Sequence, residues 1–375
     1  MFNRISQLGI VGLLCSVATP LASAQTVVGW GNESLYHNTP TTGDYKAVAA
    51  GFSYSLALKT DGTIVGWGMN DFDQLSVPAG TFTAITTGAS HHSLALRTDG
   101  TIVGWGWNSD GQIDVPTTGT YKAIAVGYQH SLALKTDGTV VGWGNNGSGQ
   151  INVPTTGTFK AIAAGHRHSL ALKTDGTIVG WGDNGSGQID VPTTGTFKAI
   201  AAGYGHSLAL KTDGTIVGWG ASPAGQPAGT YTAIATGFNY ALALKTDGSL
   251  AGWGSLYYFG VNVPTGTYTA IAVGVQHALA LKIATPQEQT AAIIAQVQTL
   301  VTAGTLNAGQ GAGLIAKLDE IIAKLNNGQT HPACNQLGAF GNQVDAFVRS
   351  GALTPSQGQV LIAAASTVTI QIGCR

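Results

Sequence analysis

Short apolar runs recur along most of the chain and are separated by Gly, Thr and Asp. In one of them, Leu132 and Leu134 flank an alanine, which is the period of two expected for a β-strand. The Asp-Gly pair that follows at position 137 favours a two-residue type I′ turn and predicts a hairpin. The register of that hairpin pairs Leu134 with Val141 and Leu132 with Trp143 on one face. The opposite face carries small residues, so each hairpin has a bulky side and a small side.

The hairpin pattern is repeated around seven Gly-Trp-Gly and seven Leu-Ala-Leu motifs, at nearly constant spacing. The array begins with a Gly-Trp-Gly at Trp30 and ends with a Leu-Ala-Leu at Leu281, so one unit is split between its two ends. A closed ring joins these halves and leaves no unpaired edge, whereas an open solenoid gains nothing from the split. We therefore expect a seven-bladed β-propeller over residues 25–283, in which residues 26–31 pair with residues 278–282.

Each blade needs further strands beyond the hairpin. The apolar segment 161–165 predicts a third strand for the next blade. One repeat, for example from Trp105 to Trp143, contains few residues for a full fourth strand beside the three strands and their loops. The fold class is thus mainly β, with blades of three to four strands.

A helical period replaces the strand period near the C-terminus. From Ile293 onwards, apolar residues recur every three or four positions, which predicts four helices over residues 287–375 packed as a four-helix bundle. The segment is itself duplicated, since residues 297–304 match residues 344–351 at an offset of 47. Asn307 with Gln310, and Thr354 with Gln357, have the spacing of capped helix starts.

The N-terminal segment 1–24 has the pattern of a secretory signal peptide, with Arg4 before an apolar stretch and small residues up to Ala24. We expect cleavage near Ala24 and a secreted protein that is extracellular, periplasmic or at the cell surface. Cys334 and Cys374 then remain, and in an oxidising compartment they predict one disulfide. The net charge of −1 gives no support to nucleic-acid binding. No later segment is long and apolar enough to span a membrane.

The alternating strand directions place two sets of loops at one end of the ring: the loops before Leu-Ala-Leu and the loops after Gly-Trp-Gly. The Asp-Gly turns lie at the other end. Aromatic residues on variable loops over a rigid scaffold are typical of a protein-binding face, although the rings could also merely cover the ends of the blades. The candidate partner-binding residues are Phe52, Tyr54, His91, Trp107, Tyr128, His166, Tyr204, Phe238, Tyr240, Tyr257 and Tyr258.

One position of the repeat, at the start of the Leu-Ala-Leu strand, carries a polar ring. The five histidines there are His92, His130, His168, His206 and His277, with Tyr54 and Tyr240 in other copies. Because the position accepts tyrosine, we interpret it as structural hydrogen bonding rather than metal or acid-base chemistry. Seven basic residues follow the Leu-Ala-Leu motifs, and most have an aspartate two residues on, which favours local neutralisation.

The series Gly-x-x-His-Ser-Leu-Ala-Leu, Asp-Gly and Gly-Trp-Gly-x-Asn-x-x-Gly-Gln resembles the repeats of the regulator of chromosome condensation family. The short period looks closer to secreted bacterial members of that superfamily, which include propeller-type β-lactamase inhibitor proteins. This resemblance covers about residues 26–283 and implies the propeller fold. The C-terminal segment resembles the FIMAH-type helical domains of bacterial secreted proteins, which implies an accessory or surface-attachment module.

Three functions remain open on the sequence. The leading hypothesis is a monomeric, non-enzymatic binding protein with a protein partner, and the resemblance implies a β-lactamase or another cell-wall enzyme as that partner. A carbohydrate-binding module is the second hypothesis, and a lyase or glycosidase is the third. No phosphate loop, nucleophile elbow or zinc-protease motif occurs, so neither a cofactor nor a metal is predicted.

Overall fold

A computed structural model of the chain describes residues 25–32, 39–40, 43–254 and 263–374. The candidate residues Tyr257 and Tyr258 and the predicted signal peptide lie outside these ranges. The described residues from Thr26 to Lys282 form one compact unit, and those from Ile283 onwards form a second. The first unit is built from strands and the second from helices.

The strands of the first unit are short and follow one another at regular intervals. In chain order they are β1 Gln25–Gly31, β2 Tyr45–Ala50, β3 Tyr54–Lys59, β4 Ile64–Gly68, β5 Phe82–Thr87, β6 His92–Arg97, β7 Ile102–Gly106, β8 Tyr121–Val126, β9 His130–Lys135, β10 Val140–Gly144, β11 Phe159–Ala164, β12 His168–Lys173, β13 Ile178–Gly182, β14 Phe197–Ala202, β15 His206–Lys211, β16 Ile216–Gly220, β17 Tyr231–Thr236, β18 Tyr240–Lys245, β19 Leu250–Gly254, β20 Tyr268–Val273 and β21 His277–Ile283.

Among the described residues these strands form seven sheets of three strands each. The first strand of each repeat is the inner one, because β2, β5, β8, β11, β14, β17 and β20 contact one another in succession and β20 contacts β2. The seven-bladed propeller predicted from the repeats is therefore confirmed. Its blades have three strands rather than four.

The last blade is completed by the N-terminal strand, as predicted. Its sheet has the order β1-β21-β20, so β1 is the outer strand of a blade whose other strands come from the end of the array. Beside this pairing, the backbone N–H of Asn32 donates to the carbonyl of Gln276 at 3.0 Å. The edges that an open array would expose are paired in this way.

The predicted hairpin register is wrong by one residue. Leu132 lies opposite Gly142 and Trp143 lies opposite Ser131. The loop has three residues rather than two, because Gly138 alone adopts a positive φ of 90° and Asp137 does not. The Gly138 N–H donates to Lys135, as in a type I turn followed by a glycine bulge. A slip of one residue moves every side chain of a strand to its other face.

Bulky and small faces still meet between blades, but with different members. Leu132 and Leu134 pack with Phe159 and Trp181 of the following blade. Ala133 and Trp143, on the other face, pack with Leu94 of the preceding blade. Each tryptophan of the seven Gly-Trp-Gly motifs therefore lies in the interface between two blades, together with the alanine of the Leu-Ala-Leu motif of the same blade.

Neighbouring blades approach each other most closely at a glycine that follows each inner strand. These axial glycines are Gly51, Gly88, Gly127, Gly165, Gly203, Gly237 and Gly274. A Cβ atom on Gly165 would lie 2.6 Å from the carbonyl oxygen of Gly203 and would collide with the His168 ring. With the exception of Gly51, which faces the Tyr54 ring, each axial glycine would meet the next glycine carbonyl at less than 3.0 Å. Glycine is required here by space and not by a positive φ.

The second unit contains four helices: α1 Pro286–Thr302, α2 Ala308–Asn326, α3 Thr330–Arg349 and α4 Pro355–Gln371. Each helix contacts the next and α1 contacts α4, as expected for a four-helix bundle around buried residues such as Leu318 and Phe340. The predicted caps at Asn307 and Thr354 are present as reciprocal capping boxes. Among the described residues, none of the helices is long and apolar enough to cross a membrane.

The predicted disulfide is present between Cys334 and Cys374. It connects the first turn of α3 to the residues that follow α4. The duplication is also visible in the packing, since a Cβ atom on Gly311 or on Gly358 would strike Val301 or Val348, respectively. Both glycine-valine pairs are related by the offset that the sequence predicts.

Substitution Gly165→Ala should destabilise the propeller by about 2–3 kcal/mol, because the methyl group has no space between two blades. This loss corresponds to a fall in Tm of roughly 4–10 °C for a unit of this size, measured by thermal unfolding. Gly185→Ala is the matched control, since its Cβ would meet only Asp183 Oδ1 at 3.4 Å. An equal loss in both variants would show that the close approach of the blades does not limit stability.

Candidate functional site

The residues that directly follow the axial glycines surround the ring axis at one end of the propeller. We call these seven residues the crown: Phe52, Ala89, Tyr128, His166, Tyr204, Phe238 and Val275. In four of them, Tyr128, His166, Tyr204 and Val275, the backbone N–H donates to a glycine carbonyl of the next blade. The N–H of His166, for example, donates to the carbonyl of Gly203 at 3.0 Å, and the N–H of Tyr204 donates to that of Gly237 at 3.2 Å. The crown is thus held by the same contacts that close the ring.

Four consecutive crown residues form a continuous arc of aromatic rings. The centroid distances are 4.4 Å from Tyr128 to His166, 4.2 Å from His166 to Tyr204 and 4.1 Å from Tyr204 to Phe238. Successive rings are tilted by 34° to 42°. The Tyr204 side chain is 43% exposed, which is high for so large an aromatic residue. We call these four residues the aromatic arc.

A second group of rings continues the aromatic surface on the first two blades. Phe72 lies 5.0 Å from His91 and 4.3 Å from Trp107, measured between ring centroids. His91 also packs against Phe52 of the crown at 5.2 Å. The variable loops therefore bring rings from different repeats into contact, as expected for a recognition surface rather than for isolated surface aromatics.

The loops after the Gly-Trp-Gly strands owe their shape to the Asn-x-x-Gly-Gln part of the repeat. Asn108 Oδ1 accepts a hydrogen bond from the N–H of Ile113 at 3.0 Å, and Gln112 Oε1 accepts one from the N–H of Asp110 at 2.8 Å. The carbonyl of the buried Gln112 accepts the indole N–H of Trp143 from the next blade at 2.9 Å. These bonds hold the loop in one conformation while the residues between them vary.

A cavity of about 130 Å³ opens between the crown residues on the axis. Its wall consists of most of the axial glycines and of the last residue of each inner strand: Ala50, Thr87, Val126, Ala164, Ala202, Thr236 and Val273. None of the residues that line it carries a formal charge at neutral pH. A cavity on the order of 150 Å³ accommodates a group the size of benzene, so one apolar side chain fits.

The repeated polar ring connects adjacent blades. His Nε2 lies within hydrogen-bonding distance of a hydroxyl of the following blade, and the pairs are His92–Ser131 at 3.1 Å, His130–Ser169 and His168–Ser207 at 2.9 Å, His206–Thr236 at 2.5 Å and His277–Ser55 at 2.7 Å. Tyr54 occupies the histidine position in its blade, and its hydroxyl oxygen lies 2.8 Å from the hydroxyl oxygen of Ser93 in the following blade. The prediction of a structural hydrogen-bonding position is thus confirmed.

Comparison with known proteins identifies the repeat. Five segments match the family model of the regulator of chromosome condensation (RCC1) repeat: residues 45–74, 82–112, 121–150, 159–188 and 197–226. Five consecutive blades therefore contain RCC1-type repeats. No curated protein sequence matches the chain.

Solved structures with a similar fold were also found. Prp20p from Saccharomyces cerevisiae, whose structure was described together with its binding to Gsp1p and histones, has a TM-score of 0.58 at 20% identity, covering 70% of this chain and 92% of Prp20p. The ectodomain of the Physcomitrella patens receptor kinase CR4 has a TM-score of 0.55 at 23% identity, covering 62% and 69%. Human WBSCR16 has a TM-score of 0.58 at 18% identity, covering 69% and 99%. At these identities the similarity shows the fold alone.

Two candidate binding residues are wrong. Tyr54 and Tyr240 are 0% and 1% exposed, and both lie inside blades at the histidine position. They precede a Leu-Ala-Leu strand just as the histidines do, and the strand places that position at a blade interface. The other described candidates, Phe52, His91, Trp107, Tyr128, His166, Tyr204 and Phe238, are partly or well exposed.

The cavity and two members of the crown, Ala89 and Val275, were not predicted from the sequence. Small aliphatic residues carry no chemical signal by themselves. The only available signal is their place, directly after an axial glycine, where the other repeats have aromatic rings. Among the described residues, no cluster of three His, Cys, Asp or Glu side chains is arranged to hold a metal ion.

Burial keeps the blade histidines neutral. It lowers the pKa of His92, His130 and His168 to about 3, and that of His206 and His277 to about 4. In the aromatic arc, burial and the neighbouring Arg167 lower the pKa of His166 to about 4. The aromatic arc is therefore uncharged at neutral pH, and the blade interfaces hold no buried cation among these histidines.

Acid should unfold the propeller well above the range in which carboxylates protonate. In the unfolded chain the five blade histidines have a pKa near 6.5, so below pH 6.5 the unfolded state binds more protons than the folded state. The free energy of unfolding should be highest above pH 6.5 and should fall as the pH decreases to about 4, by up to about 1.4 kcal/mol per pH unit for each histidine. Thermal unfolding between pH 8 and pH 4 measures this slope.

His130→Tyr is the matched variant for this prediction, because the repeat itself has tyrosine at the same position in Tyr54 and Tyr240. Between pH 6.5 and pH 4, the free energy of unfolding of this variant should fall less steeply than that of the unmodified protein, by about the contribution of one histidine. The turn aspartates have pKa values below 3.8 because they accept hydrogen bonds from the threonine two residues on, so their contribution is lost only at lower pH. A stability that stays constant from pH 7 to pH 4.5 would contradict the assignment of neutral, buried histidines.

Proposed function

We propose that this protein is a non-enzymatic recognition protein that binds a protein partner through its crown face. The crown face is the end of the propeller that carries the crown and the loops following the Gly-Trp-Gly strands. The observation that carries the proposal is the aromatic arc, in which four rings from four consecutive blades make an unbroken apolar surface. Aromatic residues at the centre of a polar rim are the usual composition of an interface core.

The physical argument is one of preorganisation. A partner that binds the aromatic arc does not have to order flexible loops, because the backbone N–H groups of Tyr128, His166 and Tyr204 donate to the next blade and the four rings pack on one another. Less conformational entropy is lost on binding, and more of the contact energy appears as affinity. The same residues, left exposed, lower solubility, which makes a purely protective role a poor explanation.

A protein partner fits the arc better than a carbohydrate does. Sugar rings stack on the free face of an aromatic side chain. In the aromatic arc each ring covers part of the face of the next at 4.1 to 4.4 Å. A glycan array tests the carbohydrate alternative directly.

We further propose that the protein acts after secretion, as a monomer, and that its partner is a β-lactamase or another cell-wall enzyme. The predicted signal peptide and the Cys334–Cys374 disulfide support an oxidising compartment. The partner class rests on the resemblance of the short repeats to secreted bacterial propellers. For the helical unit we propose an accessory or surface-attachment function on the same basis.

Replacement of Tyr128, Tyr204 and Phe238 by alanine should leave Tm nearly unchanged and weaken partner binding by roughly thirtyfold or more, because each ring is a candidate hot spot above about 2 kcal/mol. A panel of purified β-lactamases and cell-wall enzymes, together with proteins captured from the native secretome, supplies the partner. Calorimetry then measures the affinity of both forms.

The control is the triple alanine variant of Asp137, Asp175 and Asp213 at the opposite end of the blades. Each of these carboxylates accepts hydrogen bonds within its own turn, at 2.7 and 2.8 Å in the case of Asp137. This variant should lose stability and keep its affinity. Loss of binding in the turn variant alone would place recognition at the wrong end of the ring.

A further inference from the structure

Charged side chains are divided unequally between the two ends of the propeller. Among the described residues, the loops of the crown face contain six aspartates and one arginine, a net charge of −5: Asp71, Asp73, Asp110, Asp114, Asp183, Asp190 and Arg167. The remaining lysines and arginines of the described blades lie towards the opposite end. They are Lys46, Lys59, Arg97, Lys122, Lys135, Lys160, Lys173, Lys198, Lys211, Lys245 and Lys282. The aspartates described at that end are Asp44, Asp61, Asp99, Asp137, Asp175, Asp213 and Asp247, so its net charge is +4. The propeller therefore has an acidic end and a moderately basic end.

Three of the carboxylates lie close to the aromatic rings. Asp110 Oδ2 accepts a hydrogen bond at 3.0 Å from Gln129, the residue next to Tyr128. Asp183 and Asp71 are near enough to act electrostatically on the rings of His166 and His91. The crown face thus consists of an uncharged aromatic centre with carboxylates around it.

The axial cavity selects one kind of side chain. Its lining residues are Gly, Ala, Val, Thr and the crown, and none of them has a carboxylate that could form an ion pair with a cation. A lysine or arginine head in this cavity would be a buried, unpaired cation, which is strongly unfavourable. An apolar side chain of moderate size fits the volume and meets no such penalty.

We infer that the partner binds the crown with a basic segment in which one apolar side chain enters the axial cavity and flanking Lys or Arg side chains pair with the carboxylates. This inference rests on the proposed function of the crown face and specifies the chemistry of the partner. Charge complementarity of this kind accelerates association and selects partners, since surface charges attract over about 10 Å at moderate ionic strength.

The repeat supplies substitutions that keep the backbone hydrogen bonds of the loops, while the side-chain bonds that Asp110 accepts from Ser109, Gln129 and Asn145 are lost with its carboxylate. Asn145 occupies the position of Asp183 in the preceding repeat and makes the same bonds, accepting from the N–H of Gly147 and from Gln150, so Asp183→Asn has a precedent in the chain. Ser148 occupies the position of Asp110 in the following repeat and donates its N–H to a glutamine in the same way. The double variant Asp110→Ser with Asp183→Asn therefore changes the charge of the crown face from −5 to −3.

The matched control changes charge by the same amount at the opposite end. Lys160 and Lys198 are the second residues of their inner strands, and Thr232 and Thr269 occupy that position in other blades. The double variant Lys160→Thr with Lys198→Thr removes two charges there. It tests whether local or overall charge controls binding.

A random twelve-residue peptide library, panned on the whole mature protein, tests the inference without a known partner. Peptides that also bind the Tyr128, Tyr204 and Phe238 triple alanine variant are removed by counter-selection. The peptides that remain should contain one Leu, Ile, Met or Phe flanked by Lys or Arg. Calorimetry on one synthetic peptide of the enriched sequence then provides the quantitative test.

The affinity of this peptide should fall about fivefold or more in the double aspartate variant, and by a similar factor when NaCl is raised from about 50 mM to about 500 mM. It should change less than about twofold in the double lysine variant. Replacing the apolar residue of the peptide by alanine should lower its affinity about tenfold or more. In the Ala202→Leu variant, whose leucine fills the cavity, the original and the alanine peptide should bind with equal affinity. If Ala202→Leu fails to fold, the affinity of the alanine peptide for the unmodified protein is the test of whether the apolar residue is needed.

The two possible failures are distinguishable. The inference would be overturned if the crown-dependent peptides were acidic or uncharged, or if their affinity did not change in the double aspartate variant. Either result would leave the proposed function standing. A library that contains no crown-dependent binder would count against both the basic segment and the crown face as a recognition surface.

Discussion

The close approach of neighbouring blades at the axial glycines is the constraint on which the structure depends. A glycine carbonyl of one blade lies where the Cβ of the preceding glycine would be, as Gly203 does for Gly165. This contact brings the inner strands together, and the next residue, such as His166, donates its N–H across the same junction. The histidine three residues after the glycine then reaches a hydroxyl of the following blade. The crown and the polar junctions thus depend on the space that the axial glycines leave between neighbouring blades.

This arrangement separates stability from recognition within each repeat. The buried residues, Leu, Ala, Ile, Trp and His, scarcely vary between blades, because each must fit the same neighbour. The residue directly after the axial glycine projects from the junction and is free to differ, so that it is alanine at Ala89, tyrosine at Tyr204 and phenylalanine at Phe238. A recognition surface can therefore change one blade at a time while the scaffold below it stays constant.

The distribution of charge follows the same division. A basic residue at the end of the middle strand and an aspartate in the turn recur in six of the seven blades, and each such pair brings balanced charge to the same end of its blade. The aspartates of the crown face occur only in particular copies, such as Asp110 and Asp183, and among the described loops only one arginine accompanies them. The excess negative charge around the aromatic arc is therefore a property of the variable positions. This is the pattern expected where charge contributes to the choice of a partner.

The sequence by itself determined the seven units, the ring closure through the split blade, the capped four-helix unit and the end of the ring where variable residues gather, because periodicity and strand direction are local properties. Only the tertiary structure decided the register and the burial of individual rings. The Asp-Gly turn fits a two-residue or a three-residue loop, and the difference of one residue moved Trp143 to the other face. Tyr54 and Tyr128 are both tyrosines just before a Leu-Ala-Leu strand, yet Tyr54 is buried between blades and Tyr128 joins the aromatic arc, since their distances from the axial glycine differ. The axial cavity exists only after all seven blades have closed, and no single repeat contains it.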